Sequence, residues 1–166
     1  LSEPDLVRER LGRSIDDVDA TIAEIRTTIF ELGASALPGG LRQGVLAVAN
    51  ELAPSLGARP EVSFSGAVDN TVPQNVADHV LAVVRESLTN AAKHSHGRRF
   101  VVALSVGDEL ELVVIDDGVG LDPSVSPVGH GLGLANLRSR AEKLQGTMSV
   151  EPAEGGGTKV TWCVPL

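Results

Sequence analysis

The sequence predicts an α+β fold: a two-layer sandwich whose mixed, mostly antiparallel sheet carries helices on one face, preceded by one long helix. Three observations lead there. Helical apolar spacing runs over residues 41–56 and again over 73–95. Two pairs of β-rich runs are each joined by a turn signal, Gly107-Asp108 in one and Gly155–Gly157 in the other. A first segment stands apart because its apolar residues repeat as a heptad.

That first segment places Leu11, Ile15, Val18, Ile22, Ile25, Ile29 and Leu32 at steps alternating between four and three residues. The seam is narrower than the stripe of an ordinary surface helix. One helix cannot bury such a seam in water. It needs a second helix from outside this sequence, or another copy of the chain; the alternative is that it packs on the domain that follows. Gly33 to Gly40 (GASALPGG) breaks the pattern and reads as a hinge. The expected organisation is therefore a helix over 1–32, a hinge over 33–40 and a domain over 41–166.

Within that domain, Val45, Leu46, Val48, Ala49 and Leu52 give the 41–56 helix a core face. Glu61 to Ser65 (EVSFS) alternates as a strand. Pro73 suits the first turn of a helix running to about Ser95, with Val76, Val80, Val83, Val84 and Leu88 on its apolar side. Arg99 to Val106 and Glu109 to Ile115 are strands around a hairpin-type turn. Asp116 to Gly133 is rich in Gly, Pro and Asp and reads as a long loop. Leu134 to Leu144 is a short helix ended by Gly146, and Thr147–Val150 and Thr158–Val164 are the last strands.

Composition narrows the class. Of 166 residues, 42% are hydrophobic and 22% charged, which supports a packed core rather than disorder. The net charge of −8 argues against a nucleic-acid sleeve. Half of it falls in residues 1–36, which hold eight acids and four arginines. A single cysteine, Cys163, excludes an intrachain disulfide and a cysteine-rich zinc site, and it is expected to pack rather than react. No apolar run approaches the roughly 20 residues of a bilayer span. The chain begins at Leu1 without a signal peptide, so it is expected to be a cut from a longer cytoplasmic protein.

Four short features carry chemistry. Glu86 and Asn90 are spaced i, i+4 and share a helix face, with Lys93 and His94 just beyond. A carboxylate, an amide oxygen and an ammonium in that line suit a hydrated divalent cation and phosphate; taken alone, they suit a solvent-facing polar stripe better. Asp116-Asp117-Gly118-Val119-Gly120 follows an apolar strand, where a carboxylate can accept from an exocyclic amine and the glycines allow close approach of a flat ligand. Gly129-His130-Gly131-Leu132-Gly133-Leu134 feeds a helix and can cradle phosphates. It is neither a dinucleotide fingerprint nor a P-loop, lacking the surrounding βαβ unit and the Gly-Lys-Ser/Thr. Gly155-Gly156-Gly157-Thr158 leads into the final strand.

In this order, E-x-x-x-N, D-x-G-x-G, G-x-G-x-G and G-x-G-T, the four resemble the N, G1 and G2 boxes and terminal Gly-Thr of the ATPase superfamily shared by histidine kinases, gyrase B, Hsp90 and MutL. The resemblance covers about residues 41–166 and implies the Bergerat-type ATP-binding fold. Asn90-Ala-Ala-Lys93-His94 and Gly131-Leu132-Gly133-Leu134-Ala-Asn-Leu-Arg138 look like the sensor histidine kinases that partner NarL-type response regulators. The actinobacterial oxygen- and redox-sensing dormancy kinases belong to that subgroup.

The resemblance implies roles. Asn90 would bind Mg²⁺ bridging the phosphates of ATP, and Glu86 would act as general base or orient the attacking group. Lys93 and His94 would lie beside the phosphates. Asp116 would accept from the adenine amine, with Gly118 and Gly120 closing on the base. Leu121 to Gly133 would be the ATP lid, with Gly129, Gly131, Leu132, Gly133 and Leu134 about the phosphates. Thr158 would support the adenine end. The lid is short and lacks the aromatic box of many other histidine kinases.

The acceptor side is incomplete. The four histidines are His79, His94, His96 and His130, and none lies in the heptad segment. The resemblance implies that residues 1–32 are the second helix of a dimerisation and phosphoacceptor hairpin whose first helix is absent, within a homodimer. This piece is expected to bind ATP without phosphorylating itself. The rivals are an anti-sigma-type serine kinase, a non-catalytic nucleotide-binding module and a gyrase- or MutL-type fragment.

Overall fold

The computed structural model describes residues 39–120 and 131–166, the side chains of residues 131 and 132 excepted. The expected heptad helix, the hinge before Gly39 and the lid residues 121–130 lie outside the described residues. The elements in order are α1 (Gly40–Leu56), β1 (Glu61–Ser65), α2 (Val68–Thr71), α3 (Gln74–His94), β2 (Phe100–Val106), β3 (Glu109–Asp116), α4 (Gly131–Lys143), β4 (Thr147–Pro152) and β5 (Thr158–Pro165).

The strands form one sheet in the order β1-β2-β3-β5-β4. β1 and β2 run parallel because α2 and α3 form the crossover between them. The other three pairs are antiparallel, and Gly107-Asp108 joins β2 to β3. This is the mixed, mostly antiparallel sheet that the sequence predicts.

Alternation decides which face is covered. Phe100, Val102 and Leu104 on β2, Leu110, Leu112 and Val114 on β3, and Trp162 and Val164 on β5 are all buried. The helices supply the other half of the core. α1 gives Leu41, Val45, Val48 and Ala49; α3 gives Val76, Val80, Val84, Leu88 and Ala91 at helical spacing; α4 gives Leu137 and Ala141. On the opposite sheet face Val101, Ala103, Val113 and Ile115 remain half-exposed.

Three details depart from expectation. α2 is not foreseen, since four residues are too few to show a stripe. Pro73 caps α3 rather than sitting in its first turn, and its carbonyl accepts from the N–H groups of Val76 and Ala77. α4 begins at Gly131, not Leu134, so the expected loop ends earlier. Two glycines at a helix start carry a low propensity that hides the boundary.

The entry to the domain is anchored. Gly39 and Gly40 adopt φ of 100° and 79°. Asp69 accepts from the backbone N–H of Arg42 at 2.9 Å and pairs with its side chain at 3.4 Å. The same guanidinium lies 5.3 Å from the Phe64 ring centroid. On β5, between β3 and β4, Cys163 is half-buried, and burial, then Glu111 and Glu109, hold its thiol above the ordinary range. Among the described residues, no helix is long and apolar enough to cross a membrane.

Candidate active site

Packing the apolar face of α3 on the sheet turns Glu86 and Asn90 to its half-exposed flank, and Lys93 and His94 end the helix exposed. α4 lies antiparallel beside that flank. Near its start Gly133 meets Glu86 and Asn90; seven residues on, an Arg140 guanidinium nitrogen is 3.2 Å from His79 Nδ1. A β-carbon on Gly133 would collide with Glu86 Oε1 and stand 3.1 and 3.3 Å from the two amide atoms of Asn90. Glycine is therefore what lets the backbone of α4 reach both polar heads.

The second corner forms where β3 ends. Asp116 is 7% exposed. Its Oδ1 accepts from the Gly118 N–H at 2.9 Å, and both the N–H and the hydroxyl of Thr158 donate to the carboxylate. Burial pushes this carboxyl above the ordinary Asp range; the three hydrogen bonds oppose that shift without cancelling it. Two close approaches fix the loop around it. A β-carbon on Gly157, whose φ is +93°, would strike the Asp116 carbonyl. One on Gly118 would strike the Ser95 carbonyl, which also accepts from the Val119 N–H at 2.8 Å. Gly120, at φ +74°, faces the Gly157 carbonyl.

The structure thus gathers Glu86, Asn90 and Gly133 in one corner, and Asp116, Gly118, Gly120 and Thr158 in another. α3 and its C-terminal cap serve both: Asn90 faces the first and Ser95 abuts the second, about 8 Å further along the axis. Lys93 and His94 lie between. Gly131 and Leu132 belong to the first turn of α4, where unpaired N–H groups favour an anion. Leu134 packs against the hydrophobic core. Gly129 lies outside the described residues.

Sequence reasoning missed Ser95, gave Asp117 no role and did not single out Gly157 within its glycine run. The Gly155–Gly157 run was visible, but the residue meeting Asp116 depends on the β3–β5 register. Nothing marked Ser95, a lone serine past a helix end. Asp117 accepts from the N–H groups of Arg98 and Arg99 at 2.7 and 2.8 Å.

The donors suit a magnesium–nucleotide ligand. Among the described residues no three His, Cys, Asp or Glu converge on a metal position. Asn90 and Glu86 are hard oxygen donors on a half-exposed flank, which suits a cation whose remaining ligands are phosphate and water. The close approach of Gly133 is to the same two side chains.

Comparison with known proteins identifies the family and the fold. A family model described as "Histidine kinase-, DNA gyrase B-, and HSP90-like ATPase" matches residues 75–166. The nitrate/nitrite sensor protein NarX of Escherichia coli K12 is 30% identical over 158 residues, 95% of this chain and 26% of NarX. The chain therefore spans about a quarter of that relative. Among solved structures, the histidine kinase domain of the Erythrobacter litoralis EL346 blue-light activated histidine kinase is 26% identical, with a TM-score of 0.61 over 82% of this chain and 68% of that one. The Acinetobacter baumannii histidine kinase AdeS has the same fold, with a TM-score of 0.65 at 17% identity over 99% of this chain and 86% of that one.

Proposed function

The chain belongs to the family of histidine kinase-, DNA gyrase B- and HSP90-like ATPases, and from that premise we propose that residues 41–166 are the ATP-binding catalytic part of a sensor histidine kinase. One observation carries the reading. A single helix and its cap present a carboxylate and an amide to one glycine-lined corner and brace a buried carboxylate in a second. The likeness to NarX and to a histidine kinase domain at 26% identity supports a kinase over the other branches of the family.

Each residue then has a task. Asp116, its carboxylate oriented by Gly118 and Thr158, accepts a hydrogen bond from the adenine amine, which selects ATP over GTP. Gly118 and Gly120 keep the wall beside the base thin enough for a flat ring. Gly131, Leu132 and Gly133 bring the N–H groups of α4 toward the phosphates, Lys93 adds positive charge there, and His94 lies beside them. Asn90 holds Mg²⁺, which when bound neutralises charge on the phosphates. Glu86, beside Asn90, orients the attacking imidazole or takes its proton. Such positioning and charge stabilisation are what phosphoryl transfer requires of a protein.

The acceptor is a histidine outside this sequence, on a helix that pairs with residues 1–32 in a homodimer in the cytoplasm. From it the phosphoryl group passes to an aspartate of a NarL-type response regulator.

The test supplies a histidine-bearing helical hairpin in trans with labelled Mg·ATP. Base-stable, acid-labile phosphate on the hairpin is expected. Base-labile, acid-stable phosphate would indicate transfer to serine, and absence of ATP binding would overturn the reading.

A further inference from the structure

We propose that Asp117, exposed at the surface, is a positioning residue for base recognition. It locks the Asp116–Val119 loop to the segment that leads from α3 into β2, so that Asp116 and Asn90 stay in fixed register.

The β2–β3 ladder ends at the pair Phe100–Asp116. Past a last rung, backbone N–H groups lose their strand partners and the two chains can splay. Here the Asp117 carboxylate replaces the missing rung. Its Oδ1 takes the N–H groups of Arg98 at 2.7 Å and Arg99 at 2.8 Å. The Asp117 N–H donates to the Arg99 carbonyl at 3.2 Å, and the Val119 N–H to the Ser95 carbonyl at 2.8 Å. Two of these four bonds therefore rest on one carboxylate oxygen, and bonds to an ionised acceptor are the stronger kind. Gly97 completes the lock: a β-carbon there would come within 2.8 Å of Asp117 Oδ1.

The consequence lies with its neighbour. Asp116 must place one carboxylate oxygen against one amine, a task sensitive to displacements of about 1 Å. Without the Asp117 carboxylate the Arg98 and Arg99 N–H groups no longer tie the segment after α3 to the loop. The wall made by Gly118 against Ser95 can then drift. Asn90 and Glu86 sit within α3 and Gly133 in α4, so the phosphate corner keeps its geometry. Loss of Asp117 therefore weakens discrimination among bases more than it weakens phosphate binding.

This inference rests on the nucleotide reading above, and the experiment separates the two. Affinities for Mg·ATP and Mg·GTP are measured by calorimetry on the whole 166-residue chain, with melting curves for every variant. Wild type should prefer ATP; no preference overturns the base reading and this inference with it. Asp117→Ala should lose about tenfold of the ATP-over-GTP ratio, while GTP affinity barely changes. Asp117→Asn, which keeps an acceptor oxygen, should restore the ratio to within about threefold of wild type. A wild-type ratio in a folded Asp117→Ala overturns the proposal. If Asp117→Ala does not fold, Asp117→Glu decides beside Asp117→Asn. The longer side chain keeps the charge but displaces the oxygen, so it should lose the preference that the amide retains; equal preference in both overturns the proposal.

Discussion

Gly133 on α4 lies so close to Glu86 on α3 that a β-carbon on the glycine would overlap the glutamate carboxylate. The collision is with the far end of a flexible side chain, which can swing aside. Gly133→Ala should therefore fold, with a melting temperature within about 2 °C of wild type. Its displaced Glu86 should slow phosphoryl transfer to a histidine hairpin in trans by about tenfold or more, with a smaller loss of ATP affinity. Melting curves and single-turnover transfer check both halves. An unchanged transfer rate would sink the role given to this packing.

Gly157 presents the opposite case. Its β-carbon would meet the Asp116 carbonyl, a backbone atom that cannot swing away, and its φ is +93°. Gly155 has a similar φ of +89° but open space around it. Gly155→Ala should lose about 1 kcal/mol from backbone strain. Gly157→Ala should lose about 2–4 kcal/mol, because crowding adds to the strain, and ATP affinity should fall with it. Urea titrations of the two variants measure the difference, and equal losses would show that the contact with Asp116 is unimportant.

Asn90 is half-exposed on its helix, so removing its side chain should change stability by no more than about 0.5 kcal/mol. Asn90→Ala should nonetheless abolish the magnesium-dependent part of ATP binding. The comparison is affinity with magnesium and with a chelator. A variant that keeps the full magnesium effect would refute Asn90 as the cation ligand.

Much of this was legible in the sequence because it rests on local pattern. Alternation in 100–106 and 109–116 sets the sheet face, and the stripe from Val76 to Leu88 sets α3, which in turn sets where Glu86 and Asn90 point. The close approaches were not legible. That Gly118 needs Ser95, or Gly157 needs Asp116, follows from strand register and from the path of the chain past a helix end, and neither leaves a periodic trace. The start of α4 was misplaced because glycines there serve a tertiary contact with Glu86 against their own propensity.

The raised pKa of Asp116 makes a two-sided pH prediction. Its carboxyl holds a proton in the folded chain at a pH where the unfolded chain, near the ordinary value of 3.8, has lost it. The native state therefore binds more protons in that window, so Asp116 favours the fold below it and ceases to as pH rises through the folded pKa. Asp117 has the opposite sign. The Arg99 and Arg98 N–H groups hold it low, so its contribution is present above the ordinary pKa and is lost as pH falls through the folded one. Base recognition needs Asp116 ionised. ATP affinity should thus fall in mildly acidic buffer, above the pH where an exposed aspartate would titrate, while Asp116 itself does not destabilise the fold there. Asp116→Asn removes the titration and the burial of a charge. It should melt no lower than wild type at pH 7, bind ATP at least tenfold more weakly, and show a flatter acid limb. Phosphate protonation of ATP affects both proteins alike, so the difference between their affinity profiles isolates Asp116. Parallel profiles would rule out the carboxylate as the adenine acceptor.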